Sequence, residues 1–336
     1  MPAEKMHADE VDTDVALVSR LVAAQFSQWA DLQIAPVRSA GTDNALYRLG
    51  DEMVVRLPRI HWAVGQVEKE QEWLPRLAPL LPLAIPEPLA RGMPAEEYPW
   101  EWSVYRWLEG ETAIVERITD LGQAAIDVAR FIATLQRVDP TNGPPPGEYN
   151  SFRGVQLAPR DAETRAAIAS LHGAIDVGAV TAVWEGALEA PAWDGPPVWI
   201  HGDLQSGNLL AVHGRLSAVI DFGCLGVGDP ACDVMVAWTF LSRETREAFR
   251  TALRVDDATW LRGRGWALSV GLIALPYYQT TNPVLAGIAR YAIAEVLADH
   301  DGDGSLSRLP ADCRFTTASS PTEIDAHAVV TSDDGS

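Results

Sequence analysis

Three polar residues, Asp203, Asn208 and Asp221, stand in the run His201-Gly-Asp-Leu-Gln-Ser-Gly-Asn208 and the Asp221-Phe-Gly223 that follows it. Two carboxylates and an amide oxygen offer hard oxygen ligands, with no thiolate or imidazole set beside them. Such a set suits Mg2+, which takes few protein ligands and completes its octahedron with water and substrate phosphate. Phosphoryl transfer asks for little beyond metal, positioning and a base for the attacking hydroxyl. Asp203 can take the base role, with Asn208 and Asp221 on the metal. Any one of these residues reads equally well as a turn cap. Together, flanked by apolar strands, they read as chemistry.

The elements that must position them follow from the neighbouring residues. Val198-Trp-Ile200 is a short buried strand leading into the loop at 201–208. Leu209-Leu-Ala-Val212, the turn His213-Gly214 and Leu216-Ser-Ala-Val-Ile220 form a hairpin. A two-stranded hairpin sets its two open ends side by side, which brings Asn208 to Asp221. Asp229-Pro230 reads as an N-cap with Pro at the first helical position, opening a helix to about Ser242.

These motifs, with Gly228-Asp-Pro-Ala-Cys-Asp233, resemble the aminoglycoside phosphotransferase family, whose fold is bilobal and protein-kinase-like. The resemblance implies an α+β chain with a small antiparallel-sheet N-lobe and a larger helical C-lobe. It implies a nucleotide-binding lobe at 1–108, a hinge about 105–110, and a catalytic and substrate lobe at 109–300. By the same resemblance Asp203 is the base, Asn208 and Asp221 bind Mg2+, and His201 supports the loop. Asp229 and Asp233 hold the segment behind the metal, and a buried Asp233 would need donors such as loop N–H groups.

A kinase also needs a cation on the phosphates of ATP or GTP, normally a strand Lys paired with a helical Glu. The chain has 24 Arg but only two Lys, Lys5 and Lys69. Lys69 lies on a helix between Glu68 and Glu70 and is not placed for the task. Arg56, on the strand Val54-Val-Arg-Leu57, is the natural substitute: alternation points it away from the face that Val55 buries. A surface strand residue is the competing reading. The helix at Val67-Glu-Lys-Glu-Gln71 resembles the one carrying the paired acid, and its register favours Glu70. Arg59 is a second candidate phosphate ligand. Ser39-Ala-Gly-Thr-Asp-Asn44 stands where a phosphate-covering loop belongs, with Gly41 allowing close approach and Thr42 or Asp43 contacting phosphate; an ordinary hairpin turn fits equally. By resemblance, the Arg106 carbonyl and Leu108 amide face the base, and Tyr105 walls it.

Beyond the site, amphipathic helices are expected at 12–29, at 64–81 and at 121–137, with Leu46–Leu49 and Met53–Leu57 paired as strands around Gly50-Asp51. From Asp301 onward Gly, Ser, Thr and Asp dominate, which predicts a disordered tail at 301–336. The calcium-loop look of Asp299-His-Asp-Gly-Asp-Gly304 fails, because its closing acid would fall on Pro310; the stretch reads as a polar linker.

The formal charge of −20 excludes nucleic acid as a partner and permits a cationic substrate, although acidity also simply confers solubility. No apolar run approaches the roughly 20 residues of a membrane span, and the polar N-terminus lacks a signal-peptide core, so no membrane partner and a cytoplasmic location are expected. Cys224, Cys232 and Cys313 fit a reducing compartment. The acceptor is a hydroxylated small molecule, an aminoglycoside or related antibiotic first. A macrolide, a sugar or an amino alcohol follows, and a silent nucleotide-binding scaffold is the reading from another class. Acids (Asp161, Glu163, Asp176, Glu185, Glu295) and aromatics (Trp184, Trp266, Tyr277, Tyr278) of the helical half are the candidate acceptor-site residues.

Overall fold

The computed structural model describes residues 10–302. Lys5, Cys313 and the tail expected to be disordered lie outside the described residues, apart from the last helical turn.

The chain opens with α1 (Val15–Gln25), started by Asp14, whose side chain accepts from the Leu17 amide at 2.7 Å. Its apolar face packs on a sheet of β1 (Ile34–Pro36), β2 (Asn44–Leu49), β3 (Met53–Pro58), β4 (Pro88–Gly92) and β5 (Trp102–Arg106). The strands lie in the order β1-β2-β3-β5-β4, all neighbours antiparallel. Helix α2 (Val64–Leu77) crosses between β3 and β4. Beyond it the expected helix to 81 gives way to a 3-10 turn at Ala78–Leu80, where Pro79 and Pro82 cannot sustain α-helical bonding.

The second half holds β6 (Glu111–Thr112), α3 (Leu121–Leu135), α4 (Asp161–Ser170), α5 (Val177–Glu189) and β7 (Val198–Ile200). The hairpin β8 (Leu209–Val212) and β9 (Arg215–Val219) follows, then β10 (Gly226–Gly228). The chain continues through α6 (Ala231–Val234), α7 (Val236–Thr239), α8 (Arg243–Leu253), α9 (Asp257–Tyr278) and α10 (Pro283–Gly302). The fold is α+β and kinase-like, with an antiparallel-sheet half followed by a helical half.

Two cores divide the molecule. One joins α1 to the sheet through Leu21, Leu49, Val55, Leu57 and Trp102. The other runs through the helices and, by Trp73, Leu77 and Tyr105, reaches under α2, so the halves share a seam. The helix expected from Asp229 to Ser242 is instead two short pieces ending at Thr239. The Thr239 hydroxyl bonds both the Leu204 and Met235 carbonyls, tying the broken helix to the loop after Asp203. The polar linker expected at 299–304 is also corrected over 299–302, the rest lying outside the described residues. Asp299 lies within α10, its carboxylate accepting from Trp238 Nε1 at 3.2 Å and Arg246 Nη1 at 3.4 Å. Among the described residues no helix is long and apolar enough to cross a membrane.

Candidate active site

The hairpin brings the three polar residues together. Leu209 pairs with Val219, and the Ile220 amide donates to the Asn208 carbonyl at 2.9 Å. Its tight turn uses two left-handed residues, His213 (φ 51°) and Gly214 (φ 73°). Asn208 Nδ2 donates to the Asp203 carbonyl at 2.8 Å and to Asp203 Oδ2 at 3.0 Å, which fixes the amide plane and turns Oδ1 away from Asp203. Gln205 Nε2 donates to the same Oδ2 at 3.1 Å. Asp221 adopts the left-handed conformation (φ 63°), rare for a residue with a side chain and frequent where function imposes it.

Behind this front, His201 and Asp233 build the wall. His201 is fully buried; its Nδ1 accepts from the Asp203 amide at 3.2 Å, so Nε2 carries the proton and donates to the Ile220 carbonyl at 3.0 Å. Asp233 accepts from the His201 amide at 2.8 Å and the Gly202 amide at 2.7 Å, the loop donors its burial demands. Burial raises the Asp233 carboxyl above its usual range, while these two amides pull the other way. Gly202 has φ +86°, and a Cβ there would stand 2.6 Å from the Cys224 carbonyl oxygen, so only glycine lets the loop pass. Asp229 accepts from the Ala231 amide at 2.9 Å and forms a buried two-point pair with Arg262, at 2.9 and 3.2 Å.

On the sheet side of Asp221 stands Arg56. Its Nη1 donates to both Glu70 oxygens at 2.6 Å, and its Nη2 donates to Gln66 Oε1 at 3.2 Å and Asp221 Oδ1 at 3.1 Å. With its amide oxygen turned inward, Asn44 accepts from Nε at 3.2 Å and from Nη2 at 2.9 Å. Burial pulls the guanidinium down, but Glu70 and then Asp221 more than reverse this, leaving a fixed cation. Glu68 is exposed and Glu72 pairs with Arg76 on the surface, so the structure brings Glu70 alone of the three acids to Arg56.

Several expected residues are placed differently. Arg59 pairs with Glu10, away from the cleft. Tyr105 is buried beneath α2, where its hydroxyl donates to Glu70 rather than walling a base pocket. The Gly41 amide turns back to Ser39 Oγ at 3.0 Å, and the Thr42 hydroxyl donates to Asp43 Oδ1 at 2.8 Å. It is Asp43, raised by burial and next to Asp221 and Arg56, that faces the cleft; Trp62 Nε1 donates to it at 3.0 Å. Arg106 and Leu108, expected to act through backbone groups, keep their places at the end of β5 and in the half-buried connector, with the Arg106 side chain turned out to Glu87 at 2.7 Å.

Sequence reasoning missed Asn44, Gln66, Lys69, Arg153 and Arg160. Lys69 is buried, its Nζ donating to the Gly223 carbonyl at 2.6 Å over the Tyr149 ring, and burial lowers its ammonium pKa. Arg153 Nη2 lies 3.5 Å from Asp203 Oδ1. The proposed acceptor acids are mostly engaged elsewhere: Asp161 by Trp184 and Arg165, Asp176 as the cap of α5, Glu185 by Arg165 and Glu295 by Arg246. Glu163 and Tyr277 line an apolar groove of about 410 Å³ between α4 and α9. A second cavity of about 220 Å³ opens between the halves, lined by Asp43, Gln66, Tyr149 and Cys224.

Residues 34–266 match the family model described as the phosphotransferase enzyme family, APH. The chain belongs to that family. As an APH-family member it is a phosphotransferase, and its fold is shared with solved relatives. A GDP complex of wild-type aminoglycoside 2'-phosphotransferase-IIIa is 17% identical, with TM-score 0.65, over 86% of this chain and 100% of that one. A streptomycin–ATP complex of APH(2")-IIa is 16% identical, with TM-score 0.53, over 83% and 96%. The macrolide 2'-phosphotransferase MphH from Brachybacterium faecium is 22% identical, with TM-score 0.54, over 82% and 98%. No curated protein sequence matches this chain.

Proposed function

We propose that this APH-family member moves the terminal phosphoryl group of ATP or GTP to a hydroxyl of a small molecule. The observation that carries the reading is the hydrogen-bonded unit of Asp203, Asn208 and Asp221 beside Arg56. Asp203 Oδ2 is held by Asn208 and Gln205, which leaves Oδ1 to accept the proton of the attacking hydroxyl. That removes the penalty of expelling a proton into water and aims the oxygen at phosphorus.

The donor set fits Mg2+. The Asn208 amide is anchored through its nitrogen, leaving its oxygen for a cation, and the Asp221 carboxylate is about half exposed. Among the described residues no cluster of three His, Cys, Asp or Glu offers a softer or multi-carboxylate site. Bound there, Mg2+ would neutralise charge on the phosphates. Arg56, kept cationic by Glu70, supplies the fixed positive charge of the donor side. The 1–108 half serves as the nucleotide lobe, with the Arg106 carbonyl and Leu108 amide toward the base and Gly41 and Thr42 in the covering loop. The helical half to about residue 300 presents the acceptor.

Nucleotide complexes of the solved relatives support ATP or GTP as donor, and their aminoglycoside and macrolide names support an antibiotic-like hydroxyl compound as acceptor. The test is direct. Full-length protein with Mg2+ and ATP or GTP is offered a panel of hydroxylated antibiotics and metabolites, and phosphorylated product is read by mass spectrometry. Product with at least one acceptor is expected; a silent panel with both nucleotides favours the scaffold reading instead.

A further inference from the structure

The acceptor side of Asp203 is bounded by Arg153, with Arg160 beyond it on the same Trp266 ring, and the protein leaves both largely unneutralised. Arg153 is only 9% exposed, and its Nε and Nη1 are enclosed without a hydrogen-bond partner. The neighbouring Cys224 sulfur is a weak acceptor, and burial pushes that thiol up to about 12, so it stays neutral. The 3.5 Å from Nη2 to Asp203 Oδ1 is long beside the roughly 2.8 Å of a charge-assisted bond. Arg160 is half-buried, and Nε to Ser269 Oγ at 3.0 Å is its one side-chain hydrogen bond among the described residues.

Both guanidiniums lie on the Trp266 ring, at 5.4 and 4.8 Å from its centroid, and the buried Trp266 Nε1 also lacks an acceptor. Burial, and then the charge of Arg153, pull Arg160 down to about 10. The carboxylates that act most strongly on the pair are Asp203, which the base role requires to be free, for Arg153 and Glu163 for Arg160. A buried cation with unused donors, beside a second half-buried one, is costly to maintain unless an anion joins them. Meanwhile the acids expected to greet a cationic acceptor are tied up in helix caps and ion pairs.

We propose that Arg153 and Arg160, seated on Trp266, form an anion-binding subsite of the acceptor pocket. The hydroxyl presented to Asp203 then belongs to an acidic small molecule bearing a carboxylate or phosphate group, not to a polyamine antibiotic. This rests on the phosphotransfer reading above for the role of Asp203. A guanidinium fork engages carboxylate or phosphate oxygens by two parallel bonds. Its closeness to Asp203 places the anionic group only a few bonds from the accepting hydroxyl.

The test has two arms on full-length wild type, Arg153→Met and Arg160→Met. In the first, without nucleotide, melting is followed in sodium sulfate and in inorganic phosphate against sodium chloride of equal ionic strength. Sulfate and phosphate should raise the wild-type Tm by about 2 °C or more beyond the general salt stabilisation that both variants share. Arg153→Met in chloride should melt at or above wild type, since a poorly compensated buried cation is gone. Should that variant misfold, the half-buried Arg160 carries the comparison.

In the second arm, Mg2+ and ATP or GTP are supplied with hydroxy compounds in matched carboxylate, phosphomonoester, neutral and amine forms. One of the acidic forms should be preferred by at least about 10-fold in kcat/KM, and Arg160→Met should erase that preference through KM. No anion response in wild type, a response that survives both substitutions, or preference for the amine forms overturns the subsite. So does loss of ATP or GTP affinity in Arg160→Met with acid preference intact, which would assign the arginines to the nucleotide. Anion binding needs no turnover. Its failure with transfer intact sinks this inference alone, whereas anion binding without transfer to any acceptor sinks the phosphotransfer reading.

Discussion

Two buried arginines flank the same carboxylate loop, and the protein treats them differently. Arg56, on the donor side, bonds Glu70, Gln66, Asp221 and an inward-turned Asn44, so all its donors are matched. Arg153, on the acceptor side, has two nitrogens enclosed without partners and a single long approach to Asp203. The first is organised before any ligand arrives. The second keeps donors unused by the protein itself, as the anion subsite inferred above requires. A phosphotransferase with one fixed donor and a selective acceptor would divide its polar satisfaction in this way.

Substitutions can break or sharpen that contrast. The largest effect is expected at Arg56→Met. Removing the cation leaves Glu70, about 1% exposed, charged and facing only Tyr105, which should cost about 3–5 kcal/mol by denaturant titration. If it costs no more than Arg153→Met, the two sites are not different in kind. Next comes Asp233→Ala, which strips the His201 and Gly202 amides of their acceptor and should cost about 1–3 kcal/mol. A loss confined to activity, with stability unchanged, would show that the wall behind the loop is not structural. The smallest is Asn282→Ala. Asn282 Nδ2 donates to the Ala40 carbonyl at 2.8 Å, tying the covering loop to the start of α10, and its loss should cost about 0.5–1.5 kcal/mol while raising the KM for nucleotide. An unchanged KM would mean that the covering loop does not sense this tie.

What the sequence disclosed follows the same division. The Arg56 cluster and the carboxylate hairpin were legible because local rules place them: a two-residue turn aligns Asn208 with Asp221, strand alternation frees Arg56 from the core, and helical register selects Glu70. The acceptor side obeys no such rule. Arg153 and Arg160 sit in loop and 3-10 segments, and only tertiary packing brings both to Trp266 of α9 and Arg153 to Asp203. Lys69 was set aside because it neighbours Glu70. One residue on a helix is a turn of about 100°, enough to send its ammonium to Gly223 while Glu70 meets Arg56. Tyr105 was misplaced for a related reason: alternation gives the face of a strand, not the helix that covers it. The covering loop likewise hid which of its polar groups face inward, because Gly41 and Thr42 satisfy neighbours and Asp43 is left to the cleft.

The central claim is that Asp203 is the base for a phosphoryl transfer whose donor site is already built. It is tested most directly by Asp203→Ala, comparing product formation with ATP or GTP affinity measured by calorimetry in the presence of Mg2+. The account predicts a fall in kcat of at least about 100-fold with nucleotide affinity essentially retained. Turnover that survives the substitution would contradict it.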